Sequence, residues 1–203
     1  MRQLAFLLLP ALLLSPARAE DFGGPAPTGS YIADIAHTSV HWRIDHFGLS
    51  NYTARFTDIT AELAWNREDP ARSSLVVRID PLSVETDFPF PEKEDFDATI
   101  GEADHMLSGD PIEFRSTTIG LTGEQTGTVT GQLTFRGQTH PASFEVVLNG
   151  SMAEHPMDKV PKLGFSATAI VKRTDWGLDF ALDALGEGVE VIVEAEFVPA
   201  PQS

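Results

Sequence analysis

Residues 36–56, AHTSVHWRIDHFGLSNYTARF, alternate apolar and polar side chains with a period of two. Val40, Trp42, Ile44 and His46 fall on one side, and His41, Arg43 and Asp45 fall between them. This is the period of a strand with one buried face and one wet face. Gly48, Ser50 and Asn51 interrupt the alternation, and Tyr52, Ala54 and Phe56 restart it. An antiparallel sheet of such strands must gather its apolar sides in one interior. The residues alone leave open whether that interior is a packed core or a cavity.

The same pattern recurs along the chain. Tyr31 to Ile35 reads as a first short strand. After Phe56 the apolar parity changes, because Ile59, Ala61, Leu63 and Trp65 form an odd-numbered set, and a bulge or sharp bend near Thr57-Asp58 accounts for it. Leu75, Val77 and Ile79 follow, then Ile112 and Phe114, Val129 to Phe135, Phe144 to Leu148, Phe165 to Val171 and Val189 to Phe197. Residues 88–110 differ in kind. They are acidic and carry Pro89 and Pro91, while Phe96, Ile100, Ala103 and Leu107 step by three and four, which predicts one helix from Glu92 to Leu107. The expected fold is all-β: a single antiparallel, lipocalin-like barrel of about eight strands with one helical insertion. A barrel of that size has an interior just able to hold one slender ligand.

The ends of the chain read differently. Arg2, the apolar run Leu4 to Leu14 and Ala17-Arg18-Ala19 have the layout of a cleaved signal peptide over residues 1–19. Residues 20–30 are rich in Gly and Pro and are expected to be a flexible N-terminal segment. The barrel domain spans 31–198, and 199–203 is expected to be a loose tail. Export to the periplasm follows from the leader. The chain has no cysteine, so its fold rests on a core rather than on disulfides. Its net charge is −16, and the leader takes two of the 14 basic residues with it. Such a chain repels nucleic acid and anionic membrane surfaces.

Catalytic and metal signatures are weak. His37 and His41 share a strand face, but lie roughly 13 Å apart at strand rise, too far for two zinc ligands each held at about 2 Å. His46 has the opposite parity. Asp95-x-Asp97 begins like a calcium loop, but the seventh and twelfth positions from Asp95 are Gly101 and Met106, which do not fit one. No Gly-x-Ser-x-Gly, phosphate-cradling glycine loop or dinucleotide fingerprint occurs. Neither a catalytic set nor a metal site is predicted.

Seven short motifs in order resemble the YceI-like family, also called polyisoprenoid-binding proteins. They are Tyr31-x-Ala-Asp34 with His37-x-Ser39-x-x-Trp42; His46-x-Gly48-x-Ser50; Phe56; Pro111-Ile-Glu-Phe114-x-Ser116-Thr117; Val129-x-Gly131-x-Leu133-x-Phe135-x-Gly137-x-Thr139-x-Pro141; Gly164-Phe165; and Arg173-Thr-Asp175-Trp-Gly177. The resemblance implies a lipocalin-like barrel, usually periplasmic, that encloses an isoprenoid or similar long amphiphile and performs no catalysis.

Ligand-lining candidates are the apolar residues at strand parity: Trp42, Ile44, Phe56, Val77, Ile79, Phe114, Leu133, Phe135, Phe144, Val146 and Phe165. For each of them core packing is the competing role. His46, Arg173 and Asp175 are the candidate polar anchors, with an Arg173–Asp175 ion pair locking the turn as the other reading. The expected function is that of an exported carrier of an isoprenoid-type lipid, either a polyprenyl compound or a quinone, with no other cofactor. Two alternatives stand beside it: an accessory protein that presents a quinone to a membrane oxidoreductase through transient contact, and a stress-response protein whose barrel is filled.

Overall fold

A computed structural model describes residues 24–201. The signal-peptide expectation for residues 1–19 lies outside them. The chain forms ten strands: β1 (Gly29–His46), β2 (Ser50–Phe56), β3 (Ile59–Trp65), β4 (Ser74–Ile79), β5 (Val84–Glu85), β6 (Ile112–Leu121), β7 (Thr126–Phe135), β8 (Gln138–Met152), β9 (Lys162–Lys172) and β10 (Leu185–Pro199). Eight of them close an antiparallel barrel in the order β1-β3-β4-β6-β7-β8-β9-β10, and β10 returns to β1. Closure gives each of these eight a neighbour on both edges. β2 and β5 extend the wall at one end, called here the upper end.

β1 is one strand of 18 residues where the sequence suggested two. Its upper half pairs with β2 (Val40↔Phe56) and its lower half with β3 (Ile32↔Glu62). Between them the register against β10 slips, from Asp34↔Glu196 to Ser39↔Glu194. Residues 35–38 bulge there, leaving Ile35 51% exposed. The bulge switches the inward face from Tyr31 and Ala33 to Val40 and Trp42, and the break at Thr57-Asp58 makes the matching switch between β2 and β3. β3 then alternates without exception, with Ile59, Ala61, Leu63 and Trp65 buried.

Gly131 marks the closest approach in the wall. A Cβ there would lie 2.6 Å from the Phe114 ring, beside the slip in the β6–β7 register at Ser116/Thr118. Only glycine lets that ring cross the strand.

One expectation is corrected, and the chain ends are docked where they are described. The helix is α1 (Phe96–Glu102), much shorter than 92–107. Asp95 caps its start by accepting from the Ala98 N–H at 3.1 Å. At its end Glu102 and Asp104 oppose the helix dipole, and the chain turns so that Leu107 N bonds back to Ile100 O. The segment before β1 is docked in its described part rather than loose. Ala26 is fully buried and bonds Ser151 Oγ, and Tyr31 donates to Pro27 O at 2.7 Å. At the other terminus Pro199 pairs with Tyr31 and Ala200 N bonds Ser30 O.

Candidate functional site: the barrel cavity

The strand parity that buries one face of each β-strand turns those faces into the barrel, but does not fill it. An upper cavity of about 270 Å³ and a lower one of about 180 Å³ lie inside. Val40, Leu75, Val77, Val129, Val146, Ala167 and Val193 line both, forming a girdle where the two meet.

Trp42, Ile44, Phe56, Val77, Ile79, Phe114, Leu133, Phe135, Phe144 and Val146 all line the upper cavity. Phe165 does not. It lines the lower cavity, where its ring meets Trp65 at 6.0 Å and Phe197 at 5.9 Å. Alternation grouped it with the other candidates, but period two says nothing about height along the barrel.

The 86–110 segment forms the roof, with Ile100, Met106 and Leu107 among the lining residues of the upper cavity. It is anchored on both sides. Asp97 accepts from Thr86 N at 2.8 Å and from Thr86 Oγ1 at 2.5 Å. Arg136 donates from Nη1 to Met106 O, and from Nε to Trp176 O at 3.2 Å. The acids that suggested a calcium loop are thus a helix cap and a strap bond.

The predicted polar anchors separate. His46 is exposed at the β1–β2 turn, its ring 4.8 Å from Phe47. Asp175 is exposed in the 3-10 turn Arg173–Trp176. Arg173 is 2% exposed and reaches the wall of the upper cavity. It makes no ion pair with Asp175, contrary to that reading. Nε donates to Gly186 O (2.8 Å), Nη1 to Leu178 O (2.9 Å) and Phe180 O (2.8 Å), and Nη2 to Leu185 O (3.0 Å). Burial lowers the guanidinium pKa, opposed by Asp179 and Glu187. Its chemical role here is to hold the β9–β10 connection over the mouth. Trp176 completes this clasp by donating to Leu133 O at 3.2 Å, and Gly177, at φ 69°, ends the turn in the left-handed conformation that glycine favours.

The lining residues absent from the candidate list come from the roof, from the β9–β10 connection, from β10 and from further strand positions such as Val40, Leu75, Ile112, Val129 and Val171. Leu178 and Phe180 lie between β9 and β10, and Val189, Val191 and Val193 lie in the last strand, whose alternation was visible.

One cluster outside the barrel has metal-ligand spacing: the donor atoms of Asp34, His37 and Glu196 lie within 4.8 Å of one another. The ammonium of Lys162 already sits there, 2.9 Å from Asp34, 2.9 Å from Asp158 and 3.2 Å from Glu196. Burial opposes its charge, but these bonds outweigh that and hold its pKa above the ordinary value. The arrangement is a salt-bridge network that ties the β1 bulge to β9 and β10.

Comparison with known proteins places this geometry. The barrel superposes on BcnA of Burkholderia cenocepacia with a TM-score of 0.68 at 16% identity, over 81% of this chain and 98% of that one. It matches a Campylobacter jejuni YCEI protein with a TM-score of 0.66 at 22% identity, over 78% and 91%. A polyisoprenoid binding domain from Saccharophagus degradans gives 0.57 at 12% identity, over 84% and 98%. In sequence, a UPF0312 protein of Pseudomonas putida strain GB-1 is 30% identical over 144 residues, 70% of this chain and 71% of that one. The YceI-like domain model matches residues 31–197, so the chain belongs to the YceI-like family.

Proposed function

We propose that this protein is an exported carrier that holds an isoprenoid-type amphiphile, a polyprenyl lipid or a quinone, inside its barrel and performs no chemistry of its own. The observation that carries this reading is the apolar cavity. Closed strands surround empty space where a structural barrel would place side chains. The Saccharophagus degradans neighbour, described as a polyisoprenoid binding domain, supports the ligand class, and the leader-like residues 1–19 support periplasmic export. An unfilled interior also speaks against the filled-barrel alternative.

The energetics bound the task. Burying about ten methylene equivalents at about 0.8 kcal/mol each stabilises the complex by about 8 kcal/mol relative to water, or roughly micromolar affinity before ordering costs. Relative to a bilayer the gain nearly vanishes, so extraction needs a head-group contact, a donor protein or a better-fitting tunnel. Titration with a prenylated quinone tests the reading. Trp42 lines the cavity, so saturable quenching of tryptophan fluorescence at one ligand per chain is expected. No quenching across the micromolar range would contradict it.

A further inference from the structure

Half of the girdle between the two cavities is an unbroken band of cross-strand neighbours. Val40 on β1 pairs with Val193 on β10, Val193 with Ala167 on β9, and Ala167 with Val146 on β8. All four line both cavities. Each strand of the band passes from upper to lower cavity at that residue. On β8 the inward order is Phe144, Val146, Leu148; on β9 it is Val171, Ala167, Phe165; on β10 it is Val191, Val193, Ala195. Aromatic rings stand on both sides of the girdle, and none stands in it. Ala167 is the one girdle residue without a branched side chain, so the wall is notched between Val146 and Val193.

The girdle also sits midway along the tunnel. On β10 the lining runs from Val189 in the upper cavity to Phe197 in the lower one, with Val193 at its centre. That stretch is about 26 Å along the strand, or about 20 Å along the barrel axis at the usual strand tilt. A hydrocarbon chain has no polar group to desolvate in crossing an aliphatic girdle, and its affinity grows with each methylene it buries. Reaching the second cavity therefore favours a chain as long as the tunnel over one that a single cavity holds.

We infer that the girdle is a length gauge with its passage at Ala167: a chain that extends past Ala167 occupies both cavities and is held far more tightly than one confined to either. This rests on the carrier reading and adds to it the class of chain, an extended one on the order of 20 Å long.

Binding of tritiated geraniol and geranylgeraniol, separated from free ligand by rapid gel filtration, tests it. The two share the isoprene repeat and the terminal hydroxyl, and geranylgeraniol has twice the repeats. Wild type should bind geranylgeraniol at least about a hundred-fold more tightly. Ala167→Leu should weaken geranylgeraniol about ten-fold or more and leave geraniol within about two-fold. Adding Val193→Ala to Ala167→Leu should restore most of the loss, because it moves the notch to the next strand. Thr168→Leu, on the exposed face of β9, should change neither. Circular dichroism establishes that each variant is folded, and Ala167→Val, which matches the neighbouring valines, decides the matter if Ala167→Leu does not fold. Unchanged geranylgeraniol binding in the folded variants at position 167 would overturn the inference. Equal losses of both alcohols would overturn it as well, and so would wild-type affinities for the two that lie within about two-fold. If wild type bound neither alcohol, the carrier reading itself would fall first.

Discussion

Arg173 Nη2 donates to the carbonyl of Leu185 at 3.0 Å, joining the end of β9 to the start of β10 across the barrel mouth. With its bonds to Gly186, Leu178 and Phe180, one buried side chain orders the whole connection. Arg173→Met removes these donors and strands the carbonyls, at a cost of about 3 kcal/mol. That should lower the melting temperature by roughly 10 °C in a domain of this size. Arg173→Lys should recover only part of the loss, since an ammonium lacks the planar fork. Thermal denaturation followed by circular dichroism measures both.

Gly131 has no room for a methyl group. Gly131→Ala puts a Cβ against the Phe114 ring and the Arg115 carbonyl, in a wall that closes on itself and relaxes poorly. A destabilisation of about 1–3 kcal/mol is expected from overpacking. Gly150, where a Cβ meets nothing within 4 Å, is the control: Gly150→Ala should be close to neutral when both variants are compared by denaturant titration.

The Lys162 network predicts acid sensitivity. The hydrogen bond from Lys162 is the main cause that holds Asp34 below its ordinary value of 3.8. A depressed carboxylate contributes stability that is present above its unfolded value and is lost as pH falls through the folded one. The melting temperature of wild type should therefore drop as pH falls below about 4, and Asp34→Asn should start lower at neutral pH and fall less steeply. Lys162, held above its ordinary 10.5, contributes the opposite limb, with stability lost only on the strongly alkaline side. Melting curves from pH 2.5 to 7 check the sign.

Trp42 tests the cavity wall. Trp42→Arg places a charge among the apolar lining residues of the upper cavity. Loss of bound lipid from a folded variant is the expected outcome, read by extraction and by circular dichroism. Lipid retained in a folded variant would mean that the chain does not pass Trp42.

Much of this fold was legible in the sequence because strand alternation is local. Val40, Trp42 and Ile44 declare their face within five residues, and the parity change at Thr57-Asp58 located the break between β2 and β3. What was not legible depends on distant partners. The bulge at residues 35–38 exists because β1 must satisfy β10 on one edge and both β2 and β3 on the other. The helix stops at Glu102 because the chain turns there to pack Met106 and Leu107 against the Val40–Phe56 cluster. Arg173 looked like half of an ion pair with Asp175. Its true partners include carbonyls twelve and thirteen residues downstream, which no local spacing announces. Phe165 lines the lower cavity, a height along the barrel that alternation does not encode.

Native mass spectrometry of the protein purified without detergent, with organic extraction of anything bound, tests the central claim most directly. The carrier account predicts a stoichiometric adduct of a few hundred daltons that extraction releases as an isoprenoid lipid or quinone. A bare protein mass, unchanged after incubation with polyprenyl lipids and quinones, would contradict it.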